Sequence, residues 1–231
     1  MIKPITKKDE KSIFSLNGTD GVIERIFNEI GYTNKIAVEI GVSEMGEFTN
    51  TTFLSSLGFK LLWLDCISRS DLPKNCKLHV ECVTKTNIEN IFQKYNIPQE
   101  FDLLSIDIDG NDYHIREALS NYKPRIIIME YNGCFNSTSE YVMGYDENYK
   151  IKLGSIKFGA SLKSLVKQAN RLGYDYVYSE SRGSDAFFIR KDINPFTPLT
   201  SEEGWVELFW HKKLWLNKLK GITKEYEDRN L

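Results

Sequence analysis

Short apolar runs alternate with amphipathic segments along most of the chain. The apolar runs, which predict strands, are 35–40 (KIAVEI), 60–65 (KLLWLD), 78–83 (LHVECV), 101–109 (FDLLSIDID) and 125–131 (RIIIMEY). Between them, helical spacing predicts helices over 20–30, 50–57, 86–95 and 113–119. A helix capped by Ser161 and ended by Gly173 follows, and then two closely spaced strands, 174–178 and 186–190. This order predicts a mostly parallel α/β sheet with one antiparallel strand near its end.

Two segments fall outside this alternation. The stretch 132–159 is long for a loop and contains Phe135, Tyr141, Tyr145 and Tyr149, so we expect either a substrate lid or a locally packed loop. Aromatic spacing over 201–220 predicts an amphipathic helix that docks on the domain, forms a homodimer or touches a membrane surface. The predicted organisation is a helical cap at 1–34, an α/β domain at 35–192 with the lid insertion, and a helical extension at 193–231.

Composition restricts the classes of partner. The chain has 231 residues with 30 basic and 32 acidic side chains, a balance that argues against bulk affinity for nucleic acid or anionic membranes. No apolar run approaches the length of a membrane span. The four cysteines lack CxxC spacing, which predicts reduced thiols and a cytoplasmic location.

Polar residues at the strand ends carry the candidate chemistry, because ligands of open α/β sheets bind there. Glu39 can accept hydrogen bonds from a ligand, Gly41 permits a tight turn, and Asp65 after the second strand suits ribose hydroxyls. Each acid taken singly can instead be a helix cap or a solvated strand end.

Six segments together resemble class I S-adenosylmethionine (SAM)-dependent methyltransferases, and among them the FkbM-like family. The segments are 18–27 (GTDGVIERIF), 38–51 (VEIGVSEMGEFTNT), 61–66 (LLWLDC), 102–113 (DLLSIDIDGNDY), 124–132 (PRIIIMEYN) and 159–174 (GASLKSLVKQANRLGY). The resemblance implies a Rossmann-like seven-stranded methyltransferase sheet with helices on both faces and its last strand antiparallel. It also implies SAM as cofactor.

The resemblance also implies roles for individual residues. Glu39 and Gly41 would line the methionine end of the cofactor, with Ser43 where the family usually has a second glycine. Asp65 would bind the ribose, while Cys82 and Val83 would flank the adenine.

The same turn supports a rival interpretation. Gly41, Ser43 and Gly46 have the spacing of a dinucleotide fingerprint, with Asp65 as its ribose acid, so an NAD-dependent oxidoreductase is the alternative enzyme. The side chain of Ser43 and the charge of Glu39 would both oppose a pyrophosphate. A noncatalytic binding domain of the same fold is a third possibility.

Carboxylates also follow the fourth and fifth strands. Asp107 and Asp109 share one strand face, as do Glu130 and Asn132, so neighbouring strands would bring these oxygen ligands together. Such ligands suit Mg²⁺ or Mn²⁺, and a carboxylate can also act as general base. We predict Asp109 as metal ligand or base, Glu130 and Asn132 completing the site, and Asp107 contacting the cofactor. His114 is a further candidate base, and helix capping is the alternative role for the acids.

These residues and the resemblance together predict a SAM-dependent O-methyltransferase. Its acceptor would be a hydroxyl of a sugar, a glycan or a small metabolite, and Mg²⁺ or Mn²⁺ is a possible second cofactor.

Overall fold

The computed structural model describes residues 2–42, 49–151 and 156–209, in which seven strands form a single sheet. The strands are β1 (Ile36–Ile40), β2 (Lys60–Asp65), β3 (Cys76–Val80), β4 (Leu103–Ile106), β5 (Ile126–Glu130), β6 (Tyr174–Ser179) and β7 (Asp185–Arg190). Their order across the sheet is β3-β2-β1-β4-β5-β7-β6. The first five strands, β1 to β5, pair in parallel. Strand β7 is antiparallel to both of its neighbours, β5 and β6, which confirms the predicted fold class.

Helices cover both faces of the sheet. They are α1 (Thr19–Ile30), α2 (Thr52–Ser56), α3 (Ile88–Lys94), α4 (Asp112–Ala118), α5 (Leu162–Leu172) and α6 (Ser201–Gly204). Apolar residues of α1 and α2 pack against one face around the buried Trp63. Those of α3, α4 and α5 pack against the other face. Burial on both sides explains why the central strands read as continuous apolar runs.

Two predicted strands end earlier than their apolar patterns suggest. β3 stops at Val80, which is 55% exposed, because its single neighbour β2 ends at Asp65, the residue paired with Val80. β4 stops at Ile106, because the carboxylate of Asp112 accepts the N–H groups of Ile108 and Gly110 and turns the chain. Asp107 and Asp109 therefore lie on a loop rather than on one strand face, and the expectation of a shared strand face is wrong.

The C-terminal segment is not one helix starting at Ser201. Helix α6 ends at Gly204, and residues 205–208 are not helical. The indole N–H of Trp205 donates to the carbonyl of Phe135 at 2.7 Å, and the Tyr131 hydroxyl donates to that of Val206 at 2.8 Å. The segment up to residue 209 thus docks on the domain. The remainder of the predicted helix, with the predicted dimer contact, lies outside the described residues.

Of the helices that the structure describes, none has the length and apolar character needed to span a membrane.

Candidate functional site

A cavity of about 990 Å³ opens at the carboxyl ends of β1, β2 and β4. β1 lies between β2 and β4 in the sheet, so the chain crosses over at this point and leaves a crevice between the loops. The lining residues come from the loops after these strands and after β3, from residues 147–150 of the predicted lid, from residues 16–17 before α1, and from residues 184–185 at the start of β7. Several predicted site residues are among them: Glu39, Gly41, Asp65, Cys82, Val83, Asp107 and Asp109.

Glu39 lines the cavity and holds the segment that leads into α2. Its carboxylate accepts the backbone N–H groups of Asn50 at 2.7 Å and Thr51 at 3.1 Å, and the Thr51 hydroxyl also donates to it. Burial raises the pKa of Glu39 to about 7, although these three donors oppose the increase. These bonds engage the backbone just before α2, and they place a carboxylate close to the beginning of that helix, where an anion would otherwise be favoured.

Gly41 lies where the turn after β1 meets the end of β4. Its φ is +83°, and a Cβ at this position would lie 1.7 Å from the carbonyl oxygen of Asp107. No residue with a side chain fits this contact without moving the backbone. Ser43, predicted to contact the cofactor, lies with residues 44–48 outside the described part of the chain.

Asp65 is held in place before any ligand binds. One carboxylate oxygen accepts the N–H of Val42 at 2.8 Å, and the other accepts the N–H of Ile67 at 2.9 Å. Arg69 bridges the same two segments, donating to the carboxylate of Asp65 at 3.2 Å and to the carbonyl of Val42. The sequence analysis missed Arg69, whose side chain is 6% exposed.

The end of the cavity beside Asp65 contains a disulfide. Cys66, directly after Asp65, is bonded to Cys82 in the loop after β3, with their Cα atoms 4.5 Å apart. The expectation of reduced thiols is therefore wrong for this pair, whereas Cys76 and Cys134 are free. Sequence spacing could not reveal the pair, because parallel pairing of β2 with β3 brings the two strand ends together.

Three predicted acids converge next to the β1 turn. Asp107, Asp109 and Glu130 each offer a carboxylate oxygen, and these oxygens lie within 4.8 Å of one another. Withdrawal from bulk water, together with the neighbouring charges of Asp112 and Asp185, raises the pKa of Asp107 well above its ordinary value. Desolvation and the charge of Asp107 also raise the pKa of Glu130 well above its ordinary value. Desolvation raises the pKa of Asp109.

Asp185 is a fourth acid that the sequence analysis missed. It begins β7 and lies opposite Glu130 in the antiparallel register. Its side chain is buried, accepts a hydrogen bond from the hydroxyl of Thr19 at 3.1 Å, and lines the cavity. Burial, followed by the charge of Glu180, raises the pKa of Asp185 to about 7. Only the pairing of β5 with β7 places it here.

The structure does not bring Asn132 or His114 to this cluster. The amide of Asn132 is fully buried, donates to the carbonyls of Ile156 at 2.8 Å and Phe158 at 2.9 Å, and accepts from a backbone N–H. The Nε2 atom of His114 lies 2.7 Å from the carbonyl of Met143. Both side chains hold the segment after β5 in place and do not line the cavity.

The aromatic residues of the predicted lid divide between the two interpretations. Phe135 and Tyr141 stack on each other at 4.3 Å, and Tyr145 packs against His114 with ring centroids 5.5 Å apart. The first pair is a local packing contact, whereas Tyr145 also accepts the N–H of Lys85, in the loop after β3, at 3.3 Å. Tyr149 lines the cavity.

Comparison with known proteins gives limited information. No protein-family model and no curated protein matches the sequence. The solved structures that resemble the fold include two of "MycE Methyltransferase from the Mycinamycin Biosynthetic Pathway", one in complex with Mg, SAH and mycinamycin VI, the other with Mg and SAH. Their TM-scores are 0.41 and 0.40 and their identities 13% and 14%; each match covers 87% of this chain.

The chain spans about half the length of these two structures, 51% in each case. At such TM-scores the likeness carries no argument, and the fold assignment rests on the observed strand order. Membership of the FkbM-like family stays a prediction.

Proposed function

We propose that the protein is a SAM-dependent methyltransferase that methylates a hydroxyl of a sugar, a glycan or a small metabolite. The charge of the cavity carries this proposal. Its described lining contains seven carboxylates, and Lys150 is the only basic side chain in that lining. The acids are Glu39, Asp65, Glu81, Asp107, Asp109, Glu147 and Asp185. Arg69, behind Asp65, offsets one of these charges. Such a lining favours a cofactor with a net positive charge.

This charge distinguishes the two candidate cofactors. SAM carries a sulfonium and an ammonium against one carboxylate, whereas the pyrophosphate of NAD adds two negative charges. Dinucleotide folds bind that pyrophosphate at a helix N-terminus, and in this protein the carboxylate of Glu39 lies just before α2, where it would repel a pyrophosphate. The geometry therefore disfavours the oxidoreductase.

The cavity offers a matching position for each part of SAM. In our proposal, Glu39 and Gly41 contact the methionine portion, and Asp65 accepts hydrogen bonds from the ribose. Cys82 and Val83 form the wall beside the adenine. Bound SAM would supply an electrophilic methyl group. Ser43 stays a predicted contact.

We assign the acceptor hydroxyl to the acid cluster. A carboxylate with a raised pKa is a better general base than an ordinary one, and desolvation raises the pKa of Asp109, whose side chain still reaches cavity water. Asp109 would take the proton from the acceptor oxygen, and Asp107 and Glu130 would help to fix that oxygen in line with the methyl group.

The cluster also fits a divalent cation. Three carboxylate oxygens within 4.8 Å of one another are hard ligands of the type that Mg²⁺ and Mn²⁺ prefer, so Asp107, Asp109 and Glu130 would hold the ion. A bound ion would lower the pKa of a coordinated hydroxyl. We leave Asn132 out of this ligand set, because its amide groups are engaged elsewhere.

Calorimetric titration with S-adenosylhomocysteine (SAH) and with NAD tests the proposal. We expect micromolar binding of SAH and none of NAD. Asp65→Asn should weaken SAH binding at least ~10-fold, because it removes a charged acceptor at the ribose position. Asp71→Asn is the matched control: this exposed acid lies in the loop after β2 but does not line the cavity, and its effect should stay within about twofold.

Three results would contradict the proposal. Binding of NAD alone would favour the oxidoreductase, and binding of neither ligand would favour a noncatalytic domain. Equal effects of the two substitutions would remove the assignment of Asp65. A small-molecule or glycan substrate remains part of the proposal, whereas the cytoplasmic location stays a prediction from the sequence, because the Cys66–Cys82 disulfide removes the argument from reduced thiols.

A further inference from the structure

Tyr149 places an aromatic ring in the cavity beside the loop that contains Asp109. Of the described residues that line it, Tyr149 alone is aromatic. Its ring lies directly against Gly110, since a Cβ at that glycine would come within 2.6 and 2.7 Å of two ring carbons. Gly110 immediately follows Asp109, the proposed base. The ring is therefore placed one residue from the reacting end of the site.

The segment that carries Tyr149 is tied to the same loop. The side-chain amide of Asn111 donates to the carbonyl of Asp146 at 2.8 Å and accepts its N–H at 3.3 Å. The N–H of Tyr149 donates to the same carbonyl at 3.1 Å. These bonds fix the ring relative to the turn that contains Asp109. The charges of Asp109 and Glu130 contribute, after desolvation and Tyr141, to a raised pKa of the Tyr149 hydroxyl.

The topology separates this ring from the nucleoside end. Asp65 and the Cys66–Cys82 disulfide follow β2 and β3 on one side of β1, whereas Asp109 follows β4 on the other side. Because its ring lies against Gly110 beside Asp109, we assign the ligand group that contacts Tyr149 to the acceptor rather than to the adenosine.

Charge limits what this acceptor can be. The neighbouring lining residues are the acids of the cluster, and Glu147 offsets the positive charge of Lys150 on the same segment. A phosphate placed here would meet a surplus of carboxylates. An aromatic face beside acids instead suits a neutral or aminated ring, since the negative ring face attracts positively polarised C–H and N–H groups.

We propose that the ring of Tyr149 is the surface against which the acceptor lies, and that the acceptor is a neutral or aminated glycoside without a phosphate beside the reacting hydroxyl. This inference rests on the proposed methyl transfer. It assigns to Tyr149 a positioning role, distinct from proton transfer.

Saturation-transfer NMR on the SAH-loaded protein tests it with defined probes: neutral methyl hexosides, the methyl glycoside of glucosamine, and hexose 6-phosphates. We expect binding of a neutral or aminated glycoside and none of the phosphates. Tyr149→Ala should weaken glycoside binding about tenfold. Tyr149→Phe, which keeps the ring, should change it by less than about twofold.

A glycine pair supplies a second, independent perturbation. Gly110→Ala should displace the ring and reproduce the loss seen for Tyr149→Ala. Gly144→Ala lies in the same segment with nothing within 4 Å of its added Cβ, and should bind like the wild type. The SAH affinity of each variant should match the wild type and each should unfold cooperatively, which separates positioning from misfolding, although Gly110→Ala should melt at a lower temperature because its Cβ overpacks the ring.

The outcomes are distinct. Preferred binding of hexose phosphates, unchanged binding by Tyr149→Ala, or absence of glycoside binding while SAH binds would each overturn the inference and leave the proposed function standing. Failure of SAH to bind would overturn the proposed function instead, and the same probes on the unliganded protein would then decide the role of Tyr149.

Discussion

Replacement of Gly41 by alanine perturbs the contact on which the site is built. The substitution should lower the free energy of unfolding for two separate reasons. A φ of +83° is strained for any residue with a Cβ, by about 1 kcal/mol. The added Cβ would also lie 1.7 Å from the carbonyl of Asp107, and forcing those backbones apart should cost about 2–3 kcal/mol more.

Gly58→Ala separates the strain of the positive φ from the clash of the added Cβ. Its φ of +80° is nearly the same, but the atom nearest to an added Cβ is the Nζ of Lys35 at 4.0 Å. We therefore expect Gly58→Ala to destabilise the protein by about 1 kcal/mol, and Gly41→Ala by about 3–4 kcal/mol. For a chain of this size, Gly41→Ala should therefore melt roughly 5–10 °C below Gly58→Ala.

Urea denaturation and thermal melting measure the stability difference, and calorimetry with SAH measures its functional consequence. Separation of the β1 turn from Asp107 should also weaken SAH binding in Gly41→Ala but leave it unchanged in Gly58→Ala. If the two variants melt within about 2 °C of each other, or if Gly41→Ala binds SAH like the wild type, the contact is not the constraint that we infer.

Three further predictions concern charge and cross-linking. Because burial raises the pKa of Asp185 from 3.8 to about 7, the folded state binds more protons than the unfolded state between those values, and stability should fall as pH rises through that window. Asp185→Asn should flatten this slope in urea titrations at pH 5 and pH 8, and an unchanged slope would contradict the assignment. Mg²⁺ or Mn²⁺ should raise the melting temperature of the wild type and of Asp71→Asn but not of Asp109→Asn; an equal rise in all three would place the ion elsewhere. Reduction of the disulfide should raise the free-thiol count from two to four and lower stability by about 3 kcal/mol, with no effect on the double variant Cys66→Ser/Cys82→Ser.

Local patterns predicted most of the fold because each strand and helix carries its own signal. The strand KLLWLD and the helix from Ser161 to Gly173 lie where periodicity and capping residues place them. The failures occur where tertiary contacts override the local pattern. The chain turns at Asp107 because of Asp112, and the C-terminal segment straightens at Trp205 because of its contacts with the domain.

The residues of the candidate site likewise divide into those that the local pattern predicts and those that only tertiary contacts bring together. Glu39, Asp65, Asp107 and Asp109 were found because parallel strands end at a common edge of the sheet. Asp185 was missed because it begins a strand, and only the antiparallel direction of β7 brings it to that edge. Asn132 has a suitable chemical type and sequence position, but its amide completes backbone hydrogen bonds that no spacing rule specifies.

The acid cluster connects the stability of this fold to its ligand. Desolvation and neighbouring carboxylates raise the pKa of Asp107 and Glu130, and desolvation raises the pKa of Asp109 and Asp185, so negative charge in the unliganded cavity is unfavourable. A group with raised folded pKa binds protons or other cations more readily in the folded state than in the unfolded state. A sulfonium, a divalent ion or an aminated acceptor would each relieve the same repulsion, whereas a phosphate would increase it. The charge that makes the cavity costly to fold is therefore also the property that selects its ligands.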